Sequence, residues 1–179
     1  MKNEIARVEE FHRTFGHPVK SFQHPDNRSF NDKERMQLRI RLLREEVDEL
    51  EKAIQDKDPV ESVDALADIA VILFGTALEL GYAEVLPEAF SCVMDSNMSK
   101  ICKTEEELND TKKKYWSQGI DVTTQKVDTG YVVLRKSDNK ILKNDHYKAA
   151  YTMIHQLLKD RRIPRWRRFT NRIADIFGR

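Results

Sequence analysis

Two long helical stretches meet at Asp58-Pro59, and the acidic residues on either side of that break constrain the fold more than any other feature of the chain. The first stretch carries Arg44-Glu45-Glu46-Val47-Asp48-Glu49, and the second carries Asp64-Ala65-Leu66-Ala67-Asp68 leading into Ile-Ala-Val-Ile-Leu-Phe. Glu46 and Glu49 are three apart and Glu45 and Glu49 four apart, so on a helix they share a face, as do Asp64 and Asp68. If the helices fold back around residue 57, Glu49 and Asp64 lie eight and seven residues from the turn, while Glu46 and Asp68 both lie eleven away. With a helical rise of about 1.5 Å per residue, the two pairs meet at matching heights. Four carboxylates converging at a helix interface are prohibitive unless a cation neutralises them. Hard divalent cations with oxygen ligands suit such a set, Mg²⁺ first and Mn²⁺ as an alternative.

The competing explanation is a solvated face, because 34% of the residues are charged. Leu43, Val47, Leu50 and Ile54 form the expected core stripe of the first long helix, and Glu46 and Glu49 fall just beside it. Asp64 and Asp68 align with Val71 and Gly75 inside a run that is apolar almost all round, which predicts partial burial. Burial of matched carboxylates favours metal binding over the solvated face.

A chain of 179 residues, 40% of them hydrophobic, has the size of one domain, or one domain with an appendage. The start, Met1-Lys-Asn-Glu, lacks a signal-peptide pattern, and no apolar run reaches membrane-spanning length. Cys92 and Cys102 have no metal-ligand spacing and make no disulfide framework, so a reduced, cytoplasmic protein is expected. Residues 148–179 hold nine Lys/Arg against two Asp, a charge of +7 that leaves −6 for the remainder of a chain whose net charge is +1. The expected division is therefore a helical domain over 1–147 and a basic amphipathic tail over 148–179.

Ile5, Val8, Phe11 and Phe15 recur at helical spacing, and Gly16 with Pro18 ends that helix. His12, His17 and His24 are irregularly spaced and are read as surface or pocket-edge residues. A polar loop over 19–30 follows, and Asn31 with Glu34 predicts the cap of a helix reaching Ile54, with Met36, Ile40, Leu43, Val47 and Leu50 inward. Asp58-Pro59-Val60-Glu61 reads as a second capping box, which accounts for Glu61 without a metal. The third helix runs to about Leu80, buried all round, and Gly81 ends it. Pro87 opens a fourth, with Phe90, Val93, Met94 and Ile101 inward and Asn97 and Lys100 sharing a face. Thr104 with Glu107 caps a short charged helix. Val122–Val127, Tyr131–Arg135 and Lys140–Leu142 read as strands of a small antiparallel meander near 122–142. There is no Gly-rich phosphate loop and no internal repeat.

In this order, Leu42-Leu-Arg-Glu-Glu-Val-Asp-Glu49, Asp64-Ala-Leu-Ala-Asp68, Gly75-Thr-Ala-Leu-Glu-Leu-Gly81 and Ser96-Asn-Met-Ser-Lys100 resemble the MazG-like, all-α nucleoside triphosphate pyrophosphohydrolases. That group includes phosphoribosyl-ATP pyrophosphohydrolase and the dimeric dUTPases. The entry Phe11-His-Arg-Thr-Phe-Gly-His-Pro18 and the closing Lys140-Ile-Leu-Lys143 extend the resemblance over roughly 8–148. The superfamily pairs ExxE with ExxD; here position 65 is Ala, a departure that leaves the ligand set of this helix open, and Asp64 beside it can supply the carboxylate.

The resemblance implies a mainly α helical bundle with the small β meander. It implies Mg²⁺-dependent cleavage between the α- and β-phosphates of a nucleoside triphosphate, with phosphoribosyl-ATP the second substrate candidate. Glu46, Glu49, Asp64 and Asp68 would hold the metal, and Glu45 would orient or deprotonate water. Lys100 and Lys143 would hold the phosphate tail, Asn97 would contact sugar or phosphate, and Phe11, His12 and Phe15 are weaker candidates for a base pocket. A homodimer or tetramer burying the third helix is the implied assembly.

The tail supports a rival from another class, a non-catalytic helical adaptor binding nucleic acid or anionic membrane. Tyr147, Tyr151, Ile154 and Leu158 continue one helix, and Trp166, Phe169, Ile173 and Ile176 restart the pattern among arginines. Docking of the tail on the acidic body is favoured over these contacts, because the charges are opposite. The adaptor leaves the carboxylates without a cause.

Overall fold

Asp58 decides where the central hairpin turns. Its carboxylate accepts from the backbone N–H groups of Val60 and Glu61 at 2.9 and 3.1 Å, and Pro59 presets the first helical turn. In the computed structural model, which describes residues 1–22 and 32–162, α1 spans Lys2–Thr14, α2 Lys33–Asp56 and α3 Pro59–Leu80. The turn is the two residues between α2 and α3, with Lys57 in the left-handed region at φ 57°. The reciprocal arm of the expected capping box is absent, because the Asp58 N–H bonds to the Ala53 carbonyl at 2.9 Å. The α2 cap also differs from expectation. Asp32 accepts from the Arg35 N–H at 3.0 Å, while Asn31 and His24 lie outside the described residues.

Backbone contacts divide the chain into Met1–Pro87 and Glu88–Arg179. In the first unit α3 packs against both α2 and α1. Ile5, Val8, Ala77, Leu78 and Ala83 form the core, with Val19, Phe74 and Leu86 against it.

A charged knot lies beside this core. Glu79 is fully buried, and Arg35 donates to both its carboxylate oxygens at 2.6 and 2.7 Å. Arg39, also buried, stands 3.6 Å from the same carboxylate and donates to the Ile72 carbonyl at 2.6 Å and to Thr76 Oγ1 at 3.1 Å. The pairing satisfies charges that would otherwise be untenable away from water. Gly75 makes room for it: a Cβ there would sit 2.5 Å from Arg39 Nη2 and 2.6 Å from His12 Nε2.

His12 is consequently a buried residue and not the surface or pocket-edge histidine expected, 2% exposed, with Nδ1–H donating to the Pro18 carbonyl at 3.1 Å. The apolar face of α3 is the one expected to be buried in an assembly. Within one chain Val63, Leu66 and Leu73 remain 67%, 55% and 45% exposed, because α1 and α2, which pack on α3 among the described residues, leave that face open. Ile40 and Val47, placed in the α2 core stripe by periodicity, are likewise exposed.

The second unit contains the body of α4 (Leu86–Met98), α5 (Glu105–Trp116), β1 (Val122–Val127), β2 (Gly130–Arg135) and α6 (Ala150–Arg162). Thr104 caps α5 by accepting from the Glu107 N–H at 3.2 Å. The strands pair antiparallel from Val122 opposite Arg135 to Val127 opposite Gly130. The third expected strand is reduced to a bridge between Leu134 and Ile141. Cys102 pairs with Tyr131 on the same side, and a Cβ at Gly130 (φ 142°) would stand 2.2 Å from the Cys102 carbonyl oxygen. Cys102, Val133 and Leu142 form this unit's core, with Leu108, Tyr115 and Ile120 packed against it.

Phe90, Val93 and Met94 do not face inward as their spacing suggests; they are exposed, and Ser96 is the buried residue of α4. Side-chain hydrogen bonds from Ser96 and Ser99, described below, anchor this helix in place of an apolar face. Tyr147 precedes α6 and does not belong to it. The described part of the basic tail includes an ion pair between Arg161 and Glu88. Trp166, Phe169, Ile173 and Ile176 lie outside the described residues.

Truncating Glu79 to Ala leaves Arg39 buried beside no anion, and should cost about 3–5 kcal/mol in chemical denaturation. A loss below about 1 kcal/mol would mean that water reaches the arginines. His12 supplies a pH dependence. Burial is the main cause holding its imidazole below the usual range; Arg39 and His17 act in the same direction, against the Pro18 hydrogen bond and Glu79. The folded protein then binds fewer protons than the unfolded chain. The His12 contribution is thus full above the ordinary histidine pKa of about 6.5, begins to fade as pH falls below it, and is gone once pH has fallen through the lower pKa of the folded protein. Thermal midpoints measured from neutral to mildly acidic pH should fall, with a shallower slope in His12→Gln.

Candidate active site

The polar contacts between α2 and α3 fix which carboxylates face one another. Arg35 and Glu79, bonded to each other, each stand twenty-two residues from Lys57, and Arg39 and Gly75, in contact, each stand eighteen. An antiparallel pair in that register brings Glu46 level with Asp68 and Glu49 close to the level of Asp64. Electrostatics agree. The Glu46 carboxyl is held above the usual carboxylate range by burial first, then by Asp68, Glu49, Glu45 and Asp64 in that order. One half-buried glutamate thus lies in the field of the other four acidic residues selected from sequence.

Burial is less than the sequence suggests. Glu46 is half-buried, but Glu45, Glu49, Asp64 and Asp68 are exposed. Ala53 and Ala65 occupy buried positions as the helices close, so the acids border the seam instead of entering it. Position 65, acidic in the superfamily pattern, is 4% exposed, and a carboxylate there would be buried; its neighbour Asp64 points to solvent. Among the described residues no three His, Cys, Asp or Glu side chains form a group placed to ligate a metal. The donor chemistry nevertheless fits a hard divalent cation: five carboxylates, no sulfur or nitrogen, and four side chains exposed enough to turn.

The expected substrate-binding residues come together within the second unit. Lys100 Nζ donates to Asn97 Oδ1 at 2.8 Å. Lys143 Nζ lies 4.3 Å from the ring centroid of Tyr147, and both lysines, after the Ser96 hydrogen bond, hold the Tyr147 phenol below its usual range. The Lys143 backbone is gripped by Tyr115, whose hydroxyl donates to the Lys143 carbonyl at 2.9 Å and accepts from its N–H at 3.1 Å.

Of the base-pocket candidates, Phe11 lines a groove of 460 Å³ between α1 and α3, with Val8, Ala70, Val71 and Phe74. Phe15 packs on Phe11 with ring centroids 4.7 Å apart. His12 is turned instead to Gly75 and His17. Sequence reasoning missed Arg35, Arg39, Glu79 and Tyr147. The visible signal for the first three was a lone glutamate in an apolar run and two arginines four apart.

Residues 8–89 match the phosphoribosyl-ATP pyrophosphohydrolase family. This family is part of the MazG-like superfamily. The match spans the α2–α3 hairpin with all five acids and stops before Asn97, Lys100 and Lys143, short of the span to residue 148 suggested by motifs. The chain is also 38% identical over 76 residues to the uncharacterized protein L479 of Acanthamoeba polyphaga mimivirus, covering 41% of this chain and 29% of that relative. It thus spans under a third of the relative's length. No solved structure matches it. Among the described residues no helix is long and apolar enough to cross a membrane.

Mg²⁺ should raise the thermal midpoint of the wild type and do so less for Glu49→Gln and Asp68→Asn. Without Mg²⁺ neither substitution should lower stability, since each relieves like-charge repulsion. Equal Mg²⁺ shifts in all three proteins would move the metal away from these carboxylates.

Proposed function

We propose that the protein is a nucleotide pyrophosphohydrolase that cleaves a nucleoside triphosphate, or a related nucleotide such as phosphoribosyl-ATP, between its α- and β-phosphates. The observation that carries this reading is the gathering of Glu45, Glu49, Asp64 and Asp68 around Glu46 on one helical hairpin. The family match over the same hairpin supports it.

Glu46, Glu49, Asp64 and Asp68 would hold Mg²⁺, which when bound neutralises the triphosphate and the charge developing on the leaving group. Glu45, exposed on α2 one residue before Glu46, would accept a proton from water. That water adds its oxygen to phosphorus while the bridging P–O bond breaks and pyrophosphate departs. The fields of four other acids on Glu46 favour a cation beside it, and this is the electrostatic demand that a magnesium-loaded polyphosphate meets. Asn97, Lys100 and Lys143 are assigned to substrate phosphate or sugar; their mutual proximity and positive charge support that role. A homodimer or larger assembly covering Val63, Leu66 and Leu73 accompanies this reading, and their exposure in one chain supports it.

The test is product identification with a panel of nucleotides. Nucleoside monophosphate and pyrophosphate should form only with Mg²⁺ or Mn²⁺, and isotopically heavy solvent oxygen should enter one of the two. Glu49→Gln and Asp68→Asn should each lower turnover by at least about a hundredfold while remaining folded. Orthophosphate as the first product would replace this assignment with γ-phosphate hydrolysis. No turnover of any nucleotide would favour the adaptor.

A further inference from the structure

The segment after β2 is held by side-chain hydrogen bonds in place of regular structure, and one of them anchors an aromatic ring. Ser96, 3% exposed on α4, donates from Oγ to the Tyr147 hydroxyl at 3.0 Å and accepts from the Ala150 N–H at 3.1 Å. Tyr115 brackets the backbone of Lys143 from the other side. Between these anchors the Lys143 ammonium stands over the face of Tyr147 at 4.3 Å. An ammonium over an aromatic face within about 6 Å is attracted by the ring quadrupole. Lysine is otherwise a flexible point charge that gives up much rotamer freedom when it grips an anion.

We propose that Tyr147 is a positioning residue: its ring, anchored by Ser96, holds Lys143 ready beside Lys100 as a paired cation for an oligophosphate. Two lysines on separate segments repel each other when brought close, so pairing them needs a device that tolerates both charges. The ring seats the Lys143 ammonium without neutralising it, as a carboxylate partner would, and leaves it available to phosphate oxygens. Lys143 stands on the ring itself, and the charge of Lys100, held by Asn97, also reaches the Tyr147 phenol, less strongly than that of Lys143. The role of this pair as the phosphate grip rests on the activity proposed above; the organisation of Lys143 by Tyr147 does not.

The experiment uses the full chain, with Tyr147→Leu, Tyr147→Phe, Lys143→Met and the Tyr147→Leu/Lys143→Met double variant. One arm measures binding of sodium tripolyphosphate by calorimetry; the other measures KM and kcat for a nucleoside triphosphate with Mg²⁺. Tyr147→Leu should weaken tripolyphosphate binding by about threefold to tenfold and raise KM by a similar factor, with a smaller change in kcat. Tyr147→Phe, which keeps the ring, should recover most of that loss. In the Lys143→Met background Tyr147→Leu should cost nothing further.

Wild-type affinity in Tyr147→Leu, equal losses for Leu and Phe, or additive losses in the double variant would each overturn the proposal. Tripolyphosphate binding without any nucleotide turnover would sink the enzymatic reading alone, since the binding arm still decides the role of Tyr147. A wild-type chain that does not bind tripolyphosphate would overturn the lysine grip itself.

Discussion

The buried carboxylate of Glu79 is the interaction on which the first unit depends. A fully buried charge must be paired, and here both partners come from α2, one turn apart, so the pairing aligns one helix against the other. Asp58 pins the opposite end of the hairpin by capping α3 within two residues of the end of α2. With both ends fixed by polar contacts, a slip of α2 along α3 would strand the Glu79 charge or uncap α3. The heights of Glu46, Glu49, Asp64 and Asp68 follow from those two pins. Gly75 is what lets the guanidinium of Arg39 cross the seam. The acidic cluster is therefore presented by structure whose own stability owes nothing to it.

The second unit solves a different problem by different means. Its apolar core is small, built from Cys102, Val133 and Leu142 with their neighbours, and it leaves residues 143–149 without helix or strand. Backbone groups there find side-chain partners instead: Tyr115 for Lys143, Ser99 Oγ for the Lys148 N–H at 2.9 Å, and Ser96 for Ala150. A loop held this way keeps its lysines in a defined place while leaving their charges toward solvent.

Local chemistry made most of the architecture legible. Asp58-Pro59 announces a helix start because an extended residue with a short carboxylate satisfies the first free N–H groups, and Thr104 works the same way. Asp128-Thr-Gly130 announces the hairpin between β1 and β2. Misplaced features share one cause, that periodicity reports which residues share a face but not what covers it. Ile40, Val47, Phe90 and Met94 have the spacing of a core stripe and are exposed in the single chain. His12, with no apolar signature, is buried because a chain reversal brings the Pro18 carbonyl to its ring.

The sequence by itself determined the two helices, the turn between them and the acids that face across it, since caps, helical rise and spacing are local properties carried by a few adjacent residues. Only the tertiary structure decided that Glu79 joins Arg35 and Arg39, that His12 is enclosed by Arg39 and His17, and that Lys143 stands on Tyr147. It also decided how deeply the acids lie: beside a seam closed by Ala53 and Ala65, four of them open to water. Such pairings join residues far apart in sequence, and their free energy depends on desolvation. Desolvation is set by what packs around a group, which no window of neighbouring residues contains.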